Sequence, residues 1–213
     1  MQYLMINGSP RPHNSNSGQI IDNLILGLQK AHVSSIETVN LRTEKDRCKC
    51  AEMLSKVTHA LIIFPLYIDA MPGIVMDFLE KLSPYQKSLH NLHIGFIVHS
   101  GFPETRHCLA IKKYLDRLPS LLGTRYMGCI TFGGSMTLDD ARKETIIQIG
   151  QLLAQNNAFD QDTAKKLTRF DHLPLYMVPL FKIIVRSKRM QHYWIDQLKK
   201  NDAYSQRNDM PYF

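Results

Sequence analysis

The polar run Gly8–Gly18, which follows the short apolar run Tyr3–Ile6, has residue types suited to binding a phosphate. It combines serine hydroxyls, asparagine amides and the guanidinium of Arg11, and an amphipathic helix pattern begins directly after it. Backbone N–H groups, hydroxyls and the positive end of a helix dipole together form phosphate-binding loops. The alternative is a flexible polar loop in which Ser17 only caps the helix. The absence of Gly-x-Gly-x-x-Gly and Gly-Lys-Ser/Thr disfavours a Rossmann dinucleotide site and a P-loop.

Three further loops carry residues that are typical of ligand sites. The loop Pro65–Gly73 places Tyr67 and Ile68 between prolines that stiffen the backbone, which suits a flat apolar ring with polar edges. Two later apolar runs lead into Ser100-Gly101 and into Gly133-Gly134, where glycines would let the backbone approach a ligand closely. The alternative is that Tyr67 and Ile68 merely cover the end of the sheet.

The elements that must position these loops are five apolar runs that alternate with five helical patterns. A continuous run such as Ala60–Phe64 is typical of a strand buried on both faces, and Ile21, Leu24 and Leu28 mark one face of the first helix. The pattern predicts an α/β fold, a five-stranded parallel doubly wound sheet with a C-terminal helical extension. Ligands bind such sheets at the carboxyl ends of the strands, where the strand order reverses, which we expect between strands 1 and 3.

Taken together, the motifs resemble those of the NADPH-dependent FMN reductase family. The resemblance is carried by Gly8-Ser9-Pro10-Arg11 with Asn16-Ser17, and by Pro65-Leu66-Tyr67 with Met71-Pro72 before a helix. It covers roughly residues 1–155 and is closest to the iron–sulfur-flavoprotein-like branch of the flavodoxin-like NAD(P)H oxidoreductases. It implies a flavodoxin-like sheet and non-covalently bound FMN.

The resemblance also implies which residues contact FMN. The residues at the positions that hold the phosphate are Ser9, Arg11, Asn16 and Ser17. The residues under the ribityl chain and the ring are Pro65, Leu66, Tyr67 and Ile68. The residues at the pyrimidine edge are Ser100 and Gly101, with Gly133 as a further candidate.

The cysteine pattern predicts that no iron–sulfur centre is present. The iron–sulfur branch carries a compact cysteine cluster between strands 2 and 3, whereas this segment holds only Cys48 and Cys50. Four thiolate ligands cannot be assembled from that pair, and no zinc-type spacing occurs elsewhere, so we expect no metal. The four cysteines fit a reduced cytoplasmic protein, and neither a signal peptide nor a spanning helix is apparent.

The resemblance implies an FMN-dependent oxidoreductase that passes hydride from NAD(P)H to the flavin and on to a quinone, flavin, azo compound or similar acceptor. The flavin performs the chemistry; Tyr67 and His99 are candidates for contact with the acceptor and for proton donation. Backbone N–H groups near Ser100-Gly101 would stabilise negative charge on the reduced ring. The alternatives are a flavodoxin-like electron carrier and a non-enzymatic FMN-binding module. The sequence identifies neither the acceptor nor a preference between NADPH and NADH.

Charge divides the chain into two parts. Of the net charge of +7, residues 1–162 carry +1 and residues 163–213 carry +6. We therefore expect an FMN-binding domain over residues 1–160 and a basic extension over residues 161–213, with one long helix from Pro179 to about Lys200. Because the body is nearly neutral, a protein that coats nucleic acid is disfavoured.

Three interpretations of the basic extension stay open. Its apolar side chains would pack on the body or on a second subunit, lie on an anionic membrane surface through residues 176–200, or accompany nucleic-acid binding. The apolar side chains are Leu180, Phe181, Ile184, Val185, Tyr193, Trp194 and Leu198. Flavin sites in the similar family are commonly completed at a dimer interface, which implies a homodimer or higher homo-oligomer.

Overall fold

The computed structural model describes residues 1–11, 15–200 and 202–209. It comprises two compact units, Met1–His172 and Leu173–Phe213. The first unit extends beyond the domain boundary expected at residue 160. The predictions that involve the side chains of Phe181 and Trp194 lie outside the described residues.

The first unit is built on a five-stranded parallel sheet with the strand order β2-β1-β3-β4-β5. The strands are β1 (Gln2–Asn7), β2 (Ser35–Asn40), β3 (His59–Pro65), β4 (His93–His99) and β5 (Arg125–Phe132). The central strand β3 is buried along almost its whole length, as its apolar run predicts, whereas the residues of the edge strand β2 are exposed or half-buried. The predicted sheet is confirmed, and its order reverses between β1 and β3.

Helices cover both faces of the sheet. They are α1 (Asn16–Lys30), α2 (Glu44–Leu54), α3 (Gly73–Glu80), α4 (Leu109–Leu122), α5 (Asp140–Asn156) and the short α6 (Gln161–Lys165). Because side chains alternate along a strand, Leu4 and Ile6 enter the core beneath α2, α3 and α4, while Tyr3 and Met5 enter the core beneath α1 and α5. Leu167, beyond α6, is buried in that second core, which explains why the first unit extends to His172.

Two glycines allow α1 and α5 to pack backbone against backbone. A Cβ atom on Gly27 would lie 2.1 Å from the carbonyl oxygen of Ile147, and one on Gly150 would lie 2.5 Å from the carbonyl oxygen of Leu24. A glycine inside a helix costs about 1 kcal/mol relative to alanine. Close contact between the helices therefore outweighs the loss of helix propensity at these two positions.

The second unit contains two helices, α7 (Met177–Arg186) and α8 (Lys188–Lys200), so the expectation of one continuous helix is wrong. Ser187 interrupts it with an extended backbone. Its hydroxyl donates to the carbonyl oxygen of Ile184 at 2.6 Å, a local bond by which serine competes with helix continuation. Residues 204–206 form a 3₁₀ turn.

We expect Gly27→Ala to lower the free energy of unfolding by about 1–3 kcal/mol, the usual cost of overpacking, because the new methyl group meets the α5 backbone. Gly73→Ala is the matched control, since a Cβ there meets no atom within 4 Å. The control should keep or slightly raise stability, by up to about 1 kcal/mol. Urea unfolding measures both, and equal effects would contradict the proposed helix contact.

Candidate functional site

The carboxyl ends of β1, β3, β4 and β5 bring the predicted site residues to one edge of the sheet. The structure separates them into an outer and an inner group. The exposed residues are Arg11, Tyr67, Ile68 and Gly101, with Asn16 and Pro65 half-buried. The buried residues are Ser9, Ser17, Leu66, Ser100 and Gly133. The exposed group is accessible to a ligand, through side chains or, at Gly101, through the backbone, whereas the buried group is not.

The loop after β1 leads into α1, whose N-terminus is capped by Ser15 and not by Ser17. The Ser15 hydroxyl accepts from the N–H of Gly18 at 3.0 Å. The N–H groups of Asn16 and Ser17 have no partner among the residues that the structure describes. Such open N–H groups at a helix N-terminus attract anions.

Ser9, buried in the loop between β1 and α1, makes two local hydrogen bonds. Its N–H donates to the Asn7 side chain at 3.0 Å, and its hydroxyl accepts from the N–H of Arg11 at 3.3 Å. The hydroxyl therefore retains its own proton for a second partner.

His99, at the end of β4, connects α1 to the loops after β4 and β5. Its Nε2 lies 2.7 Å from the Ser17 hydroxyl and its Nδ1 lies 2.8 Å from the Ser135 hydroxyl. The Ser135 hydroxyl in turn donates to the carbonyl oxygen of Ser100 at 2.9 Å. In addition, the Asn16 amide donates to the carbonyl oxygen of Ser135 at 2.7 Å. The first turn of α1 is thus fastened to two neighbouring loops.

This chain of bonds assigns the protonation state of His99. Because Ser135 uses its only proton on Ser100, it accepts from His99, so the imidazole carries its proton on Nδ1. In the neutral ring that this leaves above its pKa, Nε2 accepts from the Ser17 hydroxyl. Burial agrees with this assignment, since desolvation lowers the pKa of His99 from 6.5 to about 4.

The loop after β3 projects an apolar tip into solvent. Tyr67 and Ala70 exchange backbone hydrogen bonds at 2.9 and 3.1 Å, which closes a tight turn over Ile68 and Asp69. Both central residues have positive φ, 48° and 59°. This is an outlier for a β-branched side chain, and Ile68 is also 96% exposed. Strain at an exposed apolar residue marks this turn as a candidate ligand contact.

The loops after β4 and β5 pack tightly on each other. A Cβ on Gly133 would lie 2.6 Å from the carbonyl oxygens of Phe102 and Pro103, so this glycine serves contact within the protein. Buried Arg142 donates to the carbonyl oxygens of Gly134, Gly133 and Leu167. The backbone N–H of Ser100 also bonds within the protein, because it donates to the carbonyl oxygen of Phe132.

A second set of contacts joins the loops after β3 and β4 at the rim of this edge. His107 Nδ1 lies 3.5 Å from a carboxylate oxygen of Asp69, and Nε2 lies 3.4 Å from one of Glu104. The Phe102 ring packs beside His107 at 5.1 Å and is itself 61% exposed. Together with Tyr67, it gives the rim an aromatic surface.

Three residues that organise the site have no site role in the sequence analysis: Ser15, Ser135 and Arg142. The Ser-Asn-Ser pattern before an amphipathic helix could have identified Ser15 as the cap. Ser135 and Arg142 gain their importance from partners distant in sequence, so no local signal was available.

Thiol and metal chemistry find no support among the described residues. Cys48 is exposed, whereas burial raises the pKa of Cys50, Cys108 and Cys129 to about 12, which keeps these thiols protonated. The described part of the chain contains no group of three or more metal-ligating side chains. It likewise contains no helix with the length and hydropathy of a membrane span.

Comparison with known proteins identifies the fold. A family model described as flavodoxin-like fold matches residues 1–159. No curated protein sequence gives a significant match.

Solved structures extend this similarity. An NAD(P)H:quinone oxidoreductase from Methanothermobacter marburgensis is 15% identical, with 74% of this chain and 98% of that one aligned at a TM-score of 0.57. An NADPH-quinone reductase from P. pentosaceus is 16% identical, with 73% and 99% aligned at 0.58. An FMN-dependent NADH-azoreductase from Bacillus anthracis, in complex with FMN, is 16% identical, with 74% and 100% aligned at 0.56. At these identities, the similarity is one of fold.

We expect acidification to destabilise the protein through His99. Because its pKa is lower in the folded chain, the unfolded chain binds the proton first as the pH falls below 6.5. The contribution to stability is complete above that pH and is lost towards pH 4, by up to roughly 3 kcal/mol. Urea unfolding at several pH values should show a shallower pH dependence for His99→Gln. Exposed His90→Gln is the matched control, and equal pH profiles would contradict the assignment.

Proposed function

This chain belongs to the flavodoxin-like fold family, and from that premise we propose that it is an FMN-dependent NAD(P)H oxidoreductase that reduces a small-molecule acceptor. Two features lie together at the edge of the sheet where the strand order reverses, and they support this proposal. One is the open N-terminus of α1, which follows the loop that carries Arg11, and the other is the exposed apolar turn after β3. Cofactors bind at this crevice in doubly wound sheets.

The groups at the start of α1 fit a phosphate. The main-chain N–H groups of Asn16 and Ser17 lie at the positive end of a 15-residue helix, and the exposed guanidinium of Arg11 adds a full charge. The Ser9 hydroxyl supplies a further donor. The side chains of Asn16 and Ser17 donate within the protein, so these two residues would hold the phosphate through their backbone.

The loops after β3 and β4 fit the remainder of FMN. Tyr67 and Ile68 offer apolar surface to a flat ring, with Pro65 and Leu66 supporting them from the strand end. Because the Ser100 N–H is used by Phe132, the N–H of Gly101 is the donor that would stabilise negative charge at the ring edge. When bound, FMN supplies hydride acceptance and hydride transfer, which the side chains of this chain do not provide.

We propose a quinone, a flavin, an azo compound or a similar planar molecule as the acceptor, with NADPH or NADH as the reductant. The similar structures named as quinone reductases and as an azoreductase support this class. The aromatic rim of Tyr67 and Phe102 suits stacking against such a ring. Tyr67 is the residue we assign to acceptor contact. His99 is buried, so we assign it a positioning role instead.

We also propose that the protein acts as a homo-oligomer in the cytoplasm. A groove of about 480 Å³ between α3 and α4 is lined by Met71, Met76 and Tyr114 and reaches the turn after β3 through Asp69. A second copy bound in this groove would form one side of the candidate site and would cover exposed apolar side chains. The four free cysteines suit a reducing compartment.

Purified protein provides the direct test of the proposed activity. We expect it to bind FMN and to show visible flavin absorbance that NADPH or NADH bleaches under anaerobic conditions, and that an added quinone restores. Colour without bleaching would identify an electron carrier instead. Protein that binds no added FMN would overturn both functions.

We expect Arg11→Ala to weaken FMN binding by about 10–100-fold, which is the range for loss of a charge-assisted hydrogen bond. Lys30→Ala is the matched control, because it removes the same charge at the opposite end of α1 and leaves its N-terminus intact. Quenching of FMN fluorescence in a titration measures both affinities. Equal affinities for the two variants would place the phosphate elsewhere.

A further inference from the structure

Helix α7 carries a row of large apolar side chains that face solvent. Tyr176, directly before the helix, and Leu180, Ile183 and Ile184 follow the spacing i, i+4, i+7 and i+8, which places them on one helical face. Their exposed fractions are 80%, 54%, 68% and 43%. We call these four residues the apolar stripe. Soluble proteins rarely leave such a contiguous surface without a partner.

Basic side chains lie next to the apolar stripe and on the opposite side of α7. The unit Leu173–Phe213 contains seven lysines and arginines but only three aspartates. Lys182, Arg186 and Lys188 are exposed on or next to α7. Leu175, just before the stripe, is 88% exposed. Tyr193, 40% exposed on α8, adds a second tyrosine, a residue type that is enriched at membrane–water interfaces.

We propose that the apolar stripe and the basic residues of the same unit bind the surface of an anionic lipid bilayer. The interaction goes beyond the proposed reductase function and does not depend on it. The helix α7 has 10 residues, or about 15 Å, which is too short to span a bilayer but sufficient to lie in its interface. Apolar side chains would enter the headgroup region while the lysines and arginines contact lipid phosphates.

Charge distinguishes this occupant from a second copy of the chain. Two such units would bring two positive surfaces together, which opposes association. An anionic bilayer neutralises the same charge, at a gain of about 1 kcal/mol for each lysine or arginine near the surface. Nucleic acid would satisfy the charge but would leave the apolar stripe uncovered.

Co-sedimentation with vesicles tests the proposal on the full-length protein. We expect binding to phosphatidylcholine vesicles that contain phosphatidylserine, little binding to phosphatidylcholine alone, and weaker binding as salt is added. The double variant Leu180→Gln/Ile183→Gln should weaken binding at least tenfold. Its matched control is Leu26→Gln/Leu121→Gln, which changes exposed apolar residues on α1 and α4 and should bind like the wild type.

The charge contribution is tested separately. Lys182→Gln/Lys188→Gln should weaken binding to the anionic vesicles by about 25-fold, or about fivefold for each lysine. Lys30→Gln/Lys87→Gln, in the first unit, is the control. Circular dichroism and the urea unfolding midpoint, which should be unchanged in every variant, check that the fold is intact.

Three results would overturn the proposal. One is a wild type that does not sediment with anionic vesicles, and another is equal binding by the stripe variant and its control. The third is a lower molecular mass for the stripe variant in the absence of lipid, which would show that a second copy covers the stripe.

Discussion

The candidate site depends on a buried histidine whose two ring nitrogens both have partners. His99 accepts from Ser17 at the start of α1 and donates to Ser135 after β5, and Ser135 continues to Ser100 after β4. Each of these groups lies out of water, where a lost partner costs about 1–3 kcal/mol. This chain of hydrogen bonds connects the start of α1 to the loops after β4 and β5, which also bond each other through their backbones.

Arg142 adds further hydrogen bonds to the loop after β5. Its guanidinium binds two carbonyl oxygens of the loop after β5 and one near the end of the first unit. The side chains of this network are buried and hydrogen-bonded, whereas Ile68 in the turn after β3 is exposed and has a strained backbone conformation. Ile68 thus adopts a backbone conformation that is unusual for its residue type, whereas the buried residues of the hydrogen-bond network do not. This distribution is expected of a functional site.

Much of this fold can be predicted from short-range patterns. Runs such as Ala60–Phe64 identify buried strands, and the alternation of elements fixes a parallel sheet and hence the edge at which loops meet. The identity of the site loops follows from that edge. The pattern does not determine which hydroxyl caps α1 and which faces inward, because Ser15 and Ser17 are chemically alike and their roles are set by His99, which is 82 residues away from Ser17. Ser187 illustrates a second limit, since a serine with extended backbone and a local side-chain bond interrupts a helix that apolar periodicity alone predicts as continuous.

The division into an exposed and a buried group determines how substitutions at this edge must be interpreted. Replacing Ser17, Ser100 or Gly133 disturbs the packing of the loops as well as the ligand surface, because each residue contacts another loop or strand in the absence of ligand. A lost activity there would not distinguish a contact residue from a structural one. Arg11, Tyr67 and Ile68 are exposed and lie outside the buried hydrogen-bond network, so a change in ligand binding on their substitution reports on contact with the ligand. Some residues that match the family motif are therefore unsuitable for testing what the site binds.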